Sequence, residues 1–189
     1  MSLQTWQETL VSAPASGAAF GTFTTAKTVL PVGCLVTLPA NWWYIGRVIR
    51  VTVQGGIGSL VTTPGTITFQ HNIGAVAAWS SGAVQLNATA HTNLPFELVT
   101  TLRCVSIGAS TSATLLGQAH LHGVMFTRTA AQVDQVNIGD SMMVPITAPA
   151  AGTGFDSTAA GTLDFFAGFS ISNAANTIQI YNYLVEALN

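Results

Sequence analysis

Residues 45–54 read IGRVIRVTVQ, and within them Val48, Arg50 and Thr52 alternate with Ile49, Val51 and Val53. A period of two puts successive side chains on opposite faces of an extended chain. β-Branched residues also fit a pleated surface better than a helix. The stretch is therefore predicted as a strand with one wholly apolar face, and its flanks carry the same signal. The turn signal Pro64-Gly65 precedes TITFQH at 66–71. Residues 96–107 set Phe96, Leu98, Leu102 and Cys104 against Val99, Thr101, Arg103 and Val105. A second long strand is predicted at 113–126, joined to the first by the hairpin-forming cluster IGASTSAT. Residues 162–170 and 176–188 are expected to pair with each other around Ser172-Asn173-Ala174-Ala175.

Helical spacing is scarce, and the best candidate is a short piece at residues 3–10. No internal repeat is visible, and no crossover helices separate the strands, so a parallel sheet is not expected. The reading is all-β: an antiparallel β-sandwich or jelly roll. Residues 139–161, rich in Pro, Gly and Ala, form a long connection from one sheet to the other. Residues 1–30 are polar and poorly periodic. They are expected to be an N-terminal arm that orders on a neighbouring subunit, ahead of a β-sandwich domain at 31–189.

Composition constrains function. Charged residues make up 6% of the 189, with 5 Lys+Arg, 7 Asp+Glu and a formal net charge of -2, against roughly 25% charged in ordinary domains. Mean hydropathy is +0.48, yet no run approaches the roughly 18 to 20 apolar residues of a spanning helix. A hydrophobic chain without a span is expected to cover its surface by self-association or within a larger assembly, because obligate interfaces are depleted in charge. Lys27, Arg47, Arg50, Arg103 and Arg128 are scattered, so no nucleic-acid partner is expected. The first residues lack a positive segment followed by an apolar core, so synthesis in the cytoplasm is expected, without a secretory signal. Cys34 and Cys104 lie among apolar neighbours and read as buried thiols.

Two constellations stand out. In GQAHLHG, Gln118, His120 and His122 project from one strand face, so the two imidazoles offer two ligands to a metal. Cupin-type jelly rolls use such an HxH pair, but the nearby Glu and later His that complete a cupin site are missing here. Two histidines alone fall short of the three or four ligands usually needed, so no metal or other cofactor is assigned. The second constellation, Trp42, Trp43 and Tyr44 after Pro39, is either an aromatic platform for sugars or core and interface packing, and packing is favoured. No hydrolase or Walker motif occurs, and Gly55-Gly56-Ile57-Gly58 lacks the Lys of a phosphate loop. The acidic residues Asp134, Asp140, Asp156 and Asp164 are spread out and read as turn formers, caps or ion-pair partners.

The linear pattern resembles a family of small structural proteins of tailed-bacteriophage particles. The stretches that carry the resemblance are LPANWWYIGRVIRV at 38–51, VTTPGT at 61–66, FELVTTLRC at 96–104 and GTGFDSTAA at 152–160. It extends over nearly the whole chain and is weakest at 120–143, so the HxH pair is not carried over. The resemblance implies a non-enzymatic virion component, a β-sandwich or jelly-roll homotrimer. The expected role is a capsid decoration (cement) protein on the major capsid protein, with a tail or fibre protein that binds a receptor as the alternative. A cupin-like metalloprotein is the remote one.

Overall fold

The alternating burial predicted for residues 48–53 is present, and the strand runs on with every residue buried from Gly55 through Ser59, in a computed structural model that describes residues 7–31, 33–60, 63, 65–127 and 141–188. The strands, in chain order, are β1 (Glu8–Ser12), β2 (Phe20–Gly21), β3 (Lys27–Thr28), β4 (Val36–Leu38), β5 (Val48–Ser59), β6 (Thr66–Ile73), β7 (Val76–Leu86), β8 (His91–Ser106), β9 (Thr114–His122), β10 (Phe126–Thr127), β11 (Ser141–Val144), β12 (Gly161–Phe169) and β13 (Thr177–Ala187). No helix occurs among the described residues, and none is long and apolar enough to cross a membrane.

The strands form two antiparallel sheets. One is seven-stranded, in the order β1-β13-β5-β8-β9-β11 with β2 also on β13. The other is six-stranded, in the order β10-β7-β6-β12-β3 with β4 also on β12. The chain is thus an all-β antiparallel sandwich. Its core lies between the sheets and is filled by the inward faces that alternation marks: Ile49, Val51 and Val53 of β5, Leu98 and Leu102 of β8, and Phe165 and Phe169 of β12. Phe69 anchors the centre, stacked on Phe96 at 5.6 Å and on Phe165 at 5.8 Å between ring centroids, with Phe126 edge-on at 6.2 Å. Offset and edge-on rings add to the area they bury.

Two expectations are corrected. The helix expected at residues 3–10 is, over its described part, the start of β1, which pairs with β13 from Glu8↔Ala187 to Ser12↔Leu184. The open edge of β13 offers backbone partners that a single helical turn in water cannot match. The expected pair 162–170 and 176–188 is also split. β12 lies between β6 and the β3 and β4 strands, whereas β13 lies between β5 and β1. Each strand has an inward apolar face, with Leu163, Phe165 and Phe169 on one and Ile178, Ile180, Tyr183 and Val185 on the other. Placed on opposite sheets, these two faces both join the one core.

Residues expected to extend as an arm form β1, β2 and β3, which pair with β13 and β12 of the same chain, and Val29 and Leu30 are buried. The hairpin of β8 and β9 is as expected, from Glu97↔His122 to Ser106↔Thr114. The connection expected at 139–161 does cross between sheets over its described residues, 141–161. Its β11 extends the β9 edge, and its bridges Leu116↔Ala151 and Ala113↔Phe155 continue that edge before the chain enters β12. Gly152 and Gly154 make the passage possible, since a Cβ would lie 1.8 Å from the Ala78 carbonyl oxygen at the first and 1.9 Å from that of Thr111 at the second.

Candidate functional site

The aromatic run precedes β5 at one end of the sandwich. Trp43 is buried against Phe155, with ring centroids 5.9 Å apart, and Trp42 meets Trp43 edge-on at 4.8 Å. The Arg47 guanidinium lies 3.8 Å from the Trp42 ring and 4.8 Å from that of Tyr44, and it donates to the Trp42 carbonyl at 2.5 Å. A cation on an aromatic face occupies the surface a sugar would use. The run therefore closes the end of the core, and only Tyr44 stays well exposed, at 43%. Beside it, Ile45 and Ile107 are exposed on loops, the Ile45 loop tied to the end of β8 that leads into Ile107 by the hydrogen bond from Gly46 N to Cys104 O.

The histidine pair stands on the outer face of the seven-stranded sheet. His120 and His122 are both exposed, with nearly parallel rings 6.1 Å apart, and Gln118 shares their face. Among the described residues no group of three His, Cys, Asp or Glu side chains converges as metal ligands. Strand register gives His122 different company. Asn182, Gln54, Glu97, His122 and Ser141 stand opposite one another in sequence across β13, β5, β8, β9 and β11. Part of this row is hydrogen-bonded: Asn182 Nδ2 donates to Gln54 Oε1 at 3.2 Å, and Gln54 Nε2 donates to Glu97 Oε1 at 2.7 Å.

The row borders a cleft of about 530 Å³ lined by Gln54, Gly55, Pro95, Phe96, Glu97, His122, Gly123, Val124 and Tyr181. Three backbone features shape it. A bulge between Ile180 and Asn182 turns Tyr181 outward. Asn93 has a φ of 53°, a left-handed conformation uncommon outside glycine. Its side-chain amide donates to the Tyr181 hydroxyl across Gly56, where a Cβ would lie 1.9 Å from Asn93 Oδ1. The glycine run that a phosphate-loop reading discards is thus strand backbone kept bare so that two polar side chains can lie on it.

Sequence reading placed His120 and His122 on one face but missed Gln54, Glu97, Asn93 and Tyr181. A usable signal existed in the Gly pair directly after a β-branched run and in Pro95 directly before a predicted strand, both marks of bulges or close approach.

The remaining chemistry-bearing groups serve the fold. Cys34 and Cys104 are free and buried, and desolvation raises the pKa of both thiols. His71 is fully buried between Trp79 and Phe165, and its Nε2 lies 2.9 Å from Thr100 Oγ1. Asp164 accepts from the Thr28 hydroxyl at 2.8 Å, with burial raising its pKa. Two further cations are engaged: Lys27 lies over Phe20 and Phe23, and Arg50 pairs with Glu186 at 2.9 Å, whereas Arg103 is exposed.

No protein-family model and no curated protein matches the chain. Among solved structures, the CBM2 module of the evolved Dit of Lactobacillus casei BL23 phage J-1 is similar over 99% of this chain and 99% of that one, at 10% identity and a TM-score of 0.37, too distant to assign a role.

Proposed function

We propose that the chain is a non-enzymatic structural protein of a tailed-phage particle, acting as a homotrimeric decoration protein on the head shell. The observation that carries this reading is an outside poor in charge. Only 6% of residues are charged, and of the four described Lys and Arg side chains Lys27, Arg47 and Arg50 are held within the fold while Arg103 is exposed. Large apolar side chains are left in the open instead, with Ile45 65% and Ile107 46% exposed. Such a surface suits burial against copies of itself and against the major capsid protein. The resemblance drawn from the sequence supports the phage setting. The proposed action is mechanical, stiffening the shell by covering neutral and apolar surface at its junctions.

Counting copies in purified particles by quantitative mass spectrometry tests the reading. Numbers comparable to the major shell protein are expected, together with a trimeric mass for the isolated protein in sedimentation. A handful of copies per particle would move the protein to the tail. The cleft on the outer sheet face is the observation that favours this second reading, of a tail- or fibre-associated receptor-binding protein.

A further inference from the structure

We infer that the cleft bounded by Tyr181, Gln54, Glu97 and His122 is a binding site for a neutral saccharide, wherever on a particle the protein resides. The wall chemistry selects the ligand. Amide, carboxylate and imidazole groups sit in one register row, and planar polar groups of this kind bind adjacent hydroxyls through paired donors and acceptors. Tyr181, 38% exposed, adds a ring face for the C–H side of a pyranose and a hydroxyl already held by Asn93. Phe96 and Val124 complete an apolar floor and rim, so the site combines a mostly apolar surface with a few placed polar groups, as small-ligand sites do.

The bulge at Tyr181 and the left-handed Asn93 are local departures from regular strand geometry that bring these groups together. Such departures cluster at functional sites. The site's polarity narrows the ligand further. Among the described residues its lining holds Glu97 and no Lys or Arg, so an acidic glycan meets like charge. An added peptide strand is disfavoured as well. Where β8 runs past the end of β9, its edge contains Pro95, which has no N–H to donate. The Arg-capped Trp42 run is a separate feature at the end of the sandwich and takes no part.

The test is binding of the full chain to an array of neutral hexose and N-acetylhexosamine oligosaccharides, with acidic glycans included. Hits are then titrated in solution. Retention of at least one neutral oligosaccharide is expected. Tyr181→Ala and His122→Ala, on opposite sides of the cleft, are each expected to weaken it about tenfold or more, the scale of one lost ligand contact. Arg47→Ala should leave it unchanged. Tyr181→Phe, which keeps the ring, gives an intermediate loss and guards against a folding artefact. The inference is overturned if no neutral saccharide is retained, if only acidic glycans bind, or if both alanine variants bind as the parent does. It is equally overturned if those variants instead lose self-association, which would put a second copy on this face.

Discussion

His71 shows how a residue without a motif becomes informative once its surroundings are known. The ring is enclosed by Trp79, Phe165 and Thr100, and desolvation takes its pKa from an ordinary 6.5 to about 3. The folded state therefore resists protonation that the unfolded chain accepts near pH 6.5. Between those values the unfolded state binds more protons, so stability rises with pH. The contribution is full above about pH 6.5 and is lost progressively as pH falls towards 3. Each tenfold change in proton affinity corresponds to about 1.4 kcal/mol, so the loss amounts to a few kcal/mol. Urea midpoints are expected to fall from pH 7 to pH 4 in the parent and to fall much less in His71→Gln. Equal slopes for the two proteins would refute this account. The candidate site was less legible at this scale, because Gln54 and Tyr181 are ordinary residues until a bulge and a neighbouring strand give them partners.

Strand β1 illustrates what an element owes to its position. It adds to the edge of β13, and Gln7 and Arg50 both donate to Glu186 beside it. Leu10 and Val11 pack against the core only in part, so most of what β1 contributes is backbone pairing and cover for an edge. Removing residues 1–12 is expected to lower the melting temperature by a few degrees while leaving the circular-dichroism spectrum β-type. It should also promote association at higher concentration, because β13 then presents unpaired N–H and C=O groups. A truncated protein with unchanged melting and no added association would show that β1 is dispensable to the isolated fold. At this scale sequence reading placed strands at 45–54, 66–71, 96–107 and 113–126 from alternation and turn signals, and these overlap β5, β6, β8 and β9. It failed for β1, whose apolar signal is too short, and it did not identify β7.

At the scale of the whole molecule, the surface carries the functional argument. Tyr44, Ile45 and Ile107 expose apolar area at one end of the sandwich, while the polar row occupies the outer face of one sheet. The two features are separable by substitution. Ile45→Lys and Ile107→Lys place charge where no core contact is lost, so stability should change by no more than about 0.5 kcal/mol. Trimer formation or particle binding, read by sedimentation and co-purification, is expected to drop sharply if this end is the buried face. Normal assembly by both variants would place the contact elsewhere. Saccharide binding in the cleft is expected to survive these changes.

The sequence by itself determined the class of the molecule. Alternation of period two is a property of neighbouring residues, so the apolar faces of β5 and β8, and the common face of His120 and His122, were readable without a partner strand. Charge depletion is also readable from composition alone, and it is the ground for proposing an assembly subunit. Which strand lies beside which is decided by contacts between residues far apart in the chain. Only the tertiary structure therefore put β12 and β13 in opposite sheets and turned residues 8–28 back onto the domain. The cleft has the same origin: positions 54, 97, 122 and 182 share nothing in sequence, and four-strand register alone sets them in a row.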